Sequence, residues 1–168
     1  PDQASLRRMQ IYWGVRPMKS IEVRTTEDIC SSAIELVCAK QIAETDIEKM
    51  IDPEKDLDGI SPANIAKVFA GDKTGFAPCT AEAVIELLKA NEIDMTGKNV
   101  SIVGRSMVVG RPLSMLMLKE NATVTICHTR TMDLEAECRR ADILVAAAGK
   151  AKMLDGRHVG QDAIVIDV

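Results

Sequence analysis

Residues 98–112 combine residue types that suit the binding of a phosphate group. Residues 100–103 are rich in β-branched side chains and predict a buried strand. Gly104 and Gly110 then allow a tight turn and a close approach of the next helix to the sheet. A strand, a glycine turn and a helix N-terminus together present backbone N–H groups and a positive dipole end to an anion. The pattern predicts a dinucleotide phosphate site, with a plain strand-to-helix turn as the alternative.

Two side chains in this turn indicate which dinucleotide would bind. The usual pattern is G-x-G-x-x-G, and here Ser106 takes the place of the second glycine, where its hydroxyl can donate to a phosphate. Arg105 offers a guanidinium that can hold the additional 2′-phosphate of NADP. We therefore predict NADP as the cofactor, with Gly104, Arg105, Ser106 and Gly110 among its binding residues.

The segment after the next predicted strand favours NADP over NAD. In NAD sites an acidic residue commonly ends this strand and bonds the ribose 2′-OH. Here the four residues that follow Cys127 carry no carboxylate; they are His128, Thr129, Arg130 and Thr131. We predict cofactor contacts at His128, Thr129 and Thr131, and the alternative for His128 is an ordinary surface-loop histidine.

The elements that would position these residues alternate between strands and helices. The predicted strands are residues 100–103, 122–127, 141–148 and 163–168, and the predicted helices between and before them are 61–69, 80–91, 112–119 and 131–140. This alternation predicts an α/β fold, a Rossmann-like three-layer α/β/α sandwich with a mainly parallel sheet of about five strands. Because ligands bind beyond the carboxyl ends of parallel strands, Ala148 and Gly149 join the predicted cofactor site.

Composition limits the classes of partner. Lysine and arginine (21) and aspartate and glutamate (25) are interspersed and give a net charge of −4, so we expect no nucleic-acid or membrane partner. Five scattered cysteines without a C-x-x-C pair predict reduced thiols in a cytoplasmic protein and no metal site. An exposed sheet edge makes a homodimer a hypothesis, although the sequence does not determine the order of assembly.

The first 46 residues predict a helix–strand–helix segment with a short strand at residues 21–23. Their motifs Arg7-Arg8-Met-x-Ile-Tyr-Trp-Gly-Val-x-Pro17 and Thr26-Glu-Asp-Ile29 resemble part of the C-terminal domain of pyruvate kinase. That domain lies outside the kinase active site, so the resemblance implies a scaffold without kinase activity.

Residues 48–168 resemble the methylenetetrahydrofolate dehydrogenase/cyclohydrolase (FolD) family. The matching motifs are Lys55-Asp-Leu-Asp-Gly59, Phe76-Ala-Pro-Cys-Thr80, Gly104-Arg-Ser-x-x-Val-Gly-x-Pro112, Asn121-Ala-Thr-Val-Thr-x-Cys-His128, Ala141-Asp-Ile-Leu-Val145 and Ile166-Asp-Val168. The resemblance implies oxidation of 5,10-methylenetetrahydrofolate with NADP, followed by hydrolysis of the methenyl product.

The resemblance also implies roles for individual residues. Arg105 and Ser106 match the family's residues at the NADP 2′-phosphate, and Thr129 stands where the family usually has serine. Asp58 matches the carboxylate that hydrogen-bonds the folate pterin ring, which makes it the candidate substrate contact. Ala81 and Ala83 replace a proline and a glycine that are common in the family.

Several groups of the family's catalytic lobe have no counterpart in the 168 residues. The Tyr-x-x-x-Lys pair is missing, since Tyr12 is followed four residues later by Arg16, and so is the glutamine of a Pro-Leu-Pro loop. The family's Pro-Gly-Gly-Val-Gly-Pro-Met-Thr turn would come after Val168. Because catalysis depends on groups fixed around the reacting atoms, we expect no catalytic residue here and an inactive chain.

These resemblances together predict a chimera. A pyruvate-kinase-like segment, residues 1–46, would join a truncated FolD-like NADP-binding segment, residues 47–168, and the two would pack as one domain. One alternative is a structural chimera, engineered or recombined, with no ligand or activity. Another is a dehydrogenase that is active when a partner chain supplies the missing groups.

Overall fold

The computed structural model of the chain describes residues 48–168. A boundary between two units falls after Asp52, and all the elements named below belong to the second unit, Pro53–Val168. The predicted strand at residues 21–23 and the predicted packing of residues 1–46 lie outside the described residues.

The described part of the chain contains one sheet of four parallel strands. They are β1 (Asn99–Val103), β2 (Thr123–Cys127), β3 (Ile143–Ala146) and β4 (Ile164–Asp167), in the order β2-β1-β3-β4. Each was predicted to within two residues at either end. The α/β fold with a parallel sheet is confirmed, and the fifth predicted strand is the one at residues 21–23.

Helices cover both faces of this sheet. They are α1 (Pro62–Ala70), α2 (Cys79–Ala90), α3 (Gly110–Lys119) and α4 (Leu134–Arg139), with a short 3₁₀ helix at Gly156–His158. Leu88 of α2 and Leu113 and Met117 of α3 are buried against Ile102 and Val145 on one face. On the other face, Cys138 of α4 joins a second core cluster that includes Val103 and Leu144. The predicted three layers are therefore present.

Burial on both faces explains the composition of β1. Residues 100–103 are all buried, so the strand is continuously apolar apart from Ser101. The Ser101 hydroxyl donates to the backbone carbonyl of Glu137 at 2.8 Å, which satisfies the buried polar group and ties β1 to α4.

Three predicted helix starts differ from the structure: α2, α3 and α4 were predicted to begin at residues 80, 112 and 131 and begin at Cys79, Gly110 and Leu134. Threonine is a favoured N-cap residue and Thr80 opens the predicted helix, but α2 begins at Cys79, whose N–H donates to Asp58 Oδ1 at 3.1 Å. We predicted that α4 begins at residue 131, but it begins at Leu134, where the Asp133 side chain accepts the Ala136 N–H at 2.9 Å. The start of α1 was correct: the Ser61 hydroxyl accepts the Asn64 N–H, and Pro62 follows it.

No helix within residues 48–168 combines the length and the apolar character needed to cross a bilayer.

The described cysteines are expected to differ sharply in reactivity. Cys127 and Cys138 are fully buried, and burial raises the pKa of both thiols, that of Cys138 to about 11. Cys79 is exposed. Brief iodoacetamide treatment at pH 8, followed by peptide mass spectrometry, should label Cys79 first and the buried pair only after denaturation. Equal labelling of Cys138 and Cys79 in the folded protein would contradict this packing.

Candidate cofactor-binding site

Three turns lie side by side beyond the carboxyl ends of β1, β2 and β3. The Gly104 N–H donates to the Cys127 carbonyl at 2.9 Å, and the Ala147 N–H donates to the Val103 carbonyl at 2.9 Å. These bonds continue the register of the strands past their ends. The predicted residues at 104–106, 128–131 and 148–149 are therefore brought to one edge of the sheet, where ligands of parallel sheets bind.

The first turn requires glycine at both of its predicted positions. Gly104 has φ +138°, and a Cβ there would collide with the backbone carbonyl of Ala147. Gly110 is the first residue of α3, and a Cβ there would collide with the carbonyl of Gly104. The two glycines thus let the turn fold against its neighbours, which is the close backbone approach that a phosphate turn needs.

Ser106 is bonded in a way that leaves its hydroxyl hydrogen available. Its Oγ accepts the Val109 N–H at 3.1 Å, and its carbonyl accepts the Arg111 N–H at 3.0 Å. Two donors at the start of α3 are therefore used within the turn. Because a hydroxyl oxygen that accepts can still donate its own hydrogen, the exposed Ser106 can offer that hydrogen to an anion.

Two guanidinium groups flank the site without a competing carboxylate. Arg105 follows β1 and Arg130 lies in the turn after β2, and both are exposed. No residue in the range 48–168 forms an ion pair or a side-chain hydrogen bond with either guanidinium. Such groups are suited to a dianionic phosphate, which they can bind through several charge-assisted hydrogen bonds.

The second turn, residues 128–131, is closed by three hydrogen bonds. The His128 N–H donates to Thr131 Oγ1 at 2.8 Å, and the Thr131 N–H donates back to the His128 carbonyl at 2.9 Å. The Arg130 N–H donates to His128 Nδ1 at 3.1 Å. Since Nδ1 accepts this bond, the ring proton is assigned to Nε2. Thr129 and Arg130 are exposed at the tip of the turn.

The third turn borders a cavity of about 400 Å³ at the ends of β1, β3 and β4. Ala148 and Gly149 line this cavity together with Val103, Ala146 and Asp167. The other predicted site residues do not line it. The third turn therefore borders a partly open space whose lining is more apolar than polar but includes Lys150 and Asp155, whereas the first two turns offer charge and hydrogen-bond donors.

Asp58 belongs to none of the three turns and lies at the exposed tip of the loop before α1. Its Oδ1 accepts the Cys79 N–H, so the carboxylate holds the start of α2. Gly59 and Pro78, on either side of this contact, line a second and strongly apolar cavity of about 340 Å³. The predicted substrate contact thus lies beside a second cavity, which Met107 of the first turn and Arg111 of α3 also line.

A buried network beneath Asp58 was not predicted. The four acids and the turn residues of 51–59 favour a polar loop, most simply a solvated linker, yet Asp56 is only 3% exposed. Asp56 accepts the N–H groups of Ile60 (3.1 Å) and Ser61 (2.7 Å) and the Asn64 side-chain amide (3.0 Å). Burial raises the pKa of this carboxyl, but the hydrogen bonds lower it by more, so the pKa lies below its ordinary value.

Asn64 is the centre of this network and is fully buried. Its amide nitrogen also donates to the Pro53 carbonyl at 3.0 Å, and its Oδ1 accepts the Phe76 N–H at 3.3 Å. It therefore connects the loop before α1 to the loop before α2. The sequence contains one indication of this network: Asn64 lies near the start of a predicted helix, where an asparagine amide can bond nearby backbone groups.

A family model for the NAD(P)-binding domain of tetrahydrofolate dehydrogenase/cyclohydrolase matches residues 78–168, which is more than half of the chain. The chain belongs to this family. The FolD resemblance and the expectation of a nicotinamide dinucleotide-binding domain are therefore confirmed. The match includes all three turns described above.

Individual FolD relatives agree with this assignment. The bifunctional protein FolD of Clostridium kluyveri is 54% identical over 129 residues, which cover 77% of this chain and 45% of that protein. FolD of Agathobacter rectalis is 49% identical over 172 residues, covering 94% of this chain and 61% of that protein. A Trypanosoma brucei FolD structure, described as complexed with NADP cofactor and inhibitor, has TM-score 0.69 and 35% identity over 74% of this chain and 43% of its own. The chain thus spans about half the length of these relatives.

The pyruvate kinase resemblance of residues 1–46 gains no support from these comparisons. The alignment to the Agathobacter rectalis protein covers 94% of the chain and must include most of residues 1–47. A FolD-like origin for both parts therefore accounts for the sequence without a chimera.

Proposed function

We propose that residues 53–168 form a domain of the FolD family that binds NADP in preference to NAD. The observation that supports this most is the pair of guanidinium groups, Arg105 and Arg130, beyond β1 and β2, where the described turn contains no carboxylate. An acid at the end of β2 would repel a 2′-phosphate, and two arginines attract it.

Each turn has a part in this proposal. Arg105, Ser106, Thr129 and Arg130 bind the 2′-phosphate, and the backbone of the glycine turn faces the pyrophosphate. Gly104 and Gly110 permit the backbone to approach it. Ala148 and Gly149 border the cavity of about 400 Å³ at the ends of β1, β3 and β4, where an uncharged part of the cofactor is accommodated. The bound cofactor supplies a hydride acceptor for oxidation of a methylenetetrahydrofolate.

We further propose that these 168 residues by themselves do not turn over folate. The family's Tyr-x-x-x-Lys pair is not among them, and Asp58 is the single candidate contact to a pterin ring. An exposed carboxylate beside an apolar cavity can accept hydrogen bonds from such a ring, but a single carboxylate does not replace the acid–base pair of the family's tyrosine and lysine. Turnover would then require groups supplied from outside these residues.

Calorimetric titrations with NADP and NAD, together with an absorbance assay with methylenetetrahydrofolate, test this function. Two additional charge-assisted contacts of about 1.5–3 kcal/mol each predict an affinity for NADP at least about 100-fold higher than that for NAD. Equal affinities would contradict NADP selectivity. The assay is expected to give no rate above the reaction without protein, and a measurable rate would contradict the proposal of no turnover.

A further inference from the structure

The turn at residues 128–131 uses two of its side chains to close itself. His128 Nδ1 accepts the Arg130 N–H, and Thr131 Oγ1 accepts the His128 N–H. Both residues are half-buried, in contrast to Thr129 and Arg130 between them. The side-chain atoms at the ends of the turn are thus occupied by the protein's own backbone.

This closure determines where the middle of the turn lies. The turn begins directly after Cys127, which is paired in register with Val103 and whose carbonyl accepts the Gly104 N–H. One end of the turn is therefore held beside Arg105 by the sheet. The remaining freedom of Thr129 and Arg130 relative to Arg105 is restricted by the bonds that His128 and Thr131 make.

Fixing these groups before a ligand arrives favours binding. A flexible turn would lose conformational entropy when a phosphate ordered it, and that loss would weaken affinity for the phosphate. A closed turn has already lost this entropy on folding. This closure raises the affinity of ligands that contact the turn and leaves the affinity of other ligands unchanged.

We propose that His128 and Thr131 are positioning residues for the 2′-phosphate, which act by holding Thr129 and Arg130 in place and do not contact the cofactor through the atoms that close the turn. This inference rests on the proposed NADP selectivity. It assigns binding and positioning to different residues of one turn.

Matched variants at position 128 separate positioning from contact. The bond from the Arg130 N–H to His128 Nδ1 spans two residues, as in an Asx turn, so His128→Asn can replace it with an amide oxygen. His128→Gln places its amide nitrogen near the former Nε2 and does not reproduce the Asx geometry. His128→Leu removes both polar atoms. NADP affinity is expected to be highest in the wild type, lower in His128→Asn, and lowest, at about equal values, in His128→Gln and His128→Leu.

Variants at position 131 repeat the test with a different atom. Thr131→Ser keeps the hydroxyl oxygen that accepts the His128 N–H, whereas Thr131→Val keeps the shape and removes it. We expect Thr131→Ser to bind NADP within about twofold of wild type and Thr131→Val about 3- to 10-fold more weakly, since a neutral hydrogen bond contributes about that much. NAD affinity should change by less than twofold in both.

The measurements are calorimetric titrations of each variant with NADP, NAD and 2′,5′-ADP, with thermal melts to verify folding and hydrogen exchange of the Arg130 amide. Faster exchange in His128→Leu, together with a lost preference for NADP, supports the inference. Recovery by His128→Gln and not by His128→Asn overturns it in favour of direct contact through Nε2. Unchanged selectivity in Thr131→Val and His128→Leu also overturns it.

If the wild type shows no preference for NADP, the proposed function fails as well. If the preference for NADP depends on Arg105 alone, only this inference fails.

Discussion

Replacing Arg105 with alanine is expected to lower the affinity for NADP about 10- to 100-fold and to change that for NAD by less than about threefold. The guanidinium follows β1 directly, is exposed, and has no ion-pair partner within residues 48–168. Removal of a hydrogen bond between a charged donor and a phosphate costs about 1.5–3 kcal/mol. NAD has no 2′-phosphate, so its affinity for the variant changes little. Calorimetric titration of both cofactors measures the ratio.

Two control variants test the cause of this loss. Arg105→Lys retains the charge but not the planar fork of donors, so it should recover only part of the affinity. Arg139→Ala removes an exposed guanidinium from the far end of α4, where its partner is Glu135 at 4.0 Å. It makes the same change in net charge and should bind NADP like the wild type. An equal loss in Arg139→Ala would show that long-range charge, and not contact with the phosphate, controls affinity.

Replacing Asn64 with alanine is expected to lower the free energy of unfolding by about 3 kcal/mol. The substitution leaves the buried Asp56 carboxylate without one donor and the Phe76 N–H without its acceptor. A buried group left unsatisfied costs about 1–3 kcal/mol, and more when it is charged. Chemical denaturation followed by circular dichroism measures the change. Asn91→Ala is the control, because that side chain is exposed and bonds only the Leu87 carbonyl among described residues; it should cost less than about 1 kcal/mol.

The same network predicts a pH dependence. Because the pKa of Asp56 is lowered in the folded state, the folded protein binds fewer protons there than the unfolded chain does. The resulting stability is present above the unfolded pKa of about 4 and is lost as the pH falls through the folded value. Asp56→Asn removes this contribution. The difference in unfolding free energy between wild type and Asp56→Asn should therefore shrink as the pH is lowered below about 4, and a constant difference would contradict the assignment.

The network also bears on the candidate folate contact. Asp58 lies two residues after Asp56, and its carboxylate accepts the Cys79 N–H at the start of α2. The backbone on either side of Asp58 is held by Asp56 and Asn64, so their loss would free the loop that presents it. The acids at 56 and 58 therefore have different roles, one buried and structural, the other exposed.

The sequence by itself determined the strands, their parallel arrangement and the position of the glycine turn after β1. Apolar β-branched runs such as residues 100–103 are local patterns, and each recurs after a helical segment, so the order of elements and the sheet edge at which their ends meet follow without coordinates. The glycines at 104 and 110 also indicated a tight turn from the sequence alone, because few other residues permit such a backbone.

Only the tertiary structure decided which polar side chains support the fold and which remain available. Asp56 and Asp58 occur in one acidic loop with nothing in their spacing to distinguish them, and their difference arises from Asn64 in the next helix and Cys79 twenty-one residues beyond Asp58. His128 and Thr131 are likewise predicted together with Thr129, and only the structure shows that His128 Nδ1 and Thr131 Oγ1 bond the backbone of the turn. Hydrogen-bond partners depend on where the folded chain returns, and a linear pattern does not contain that information.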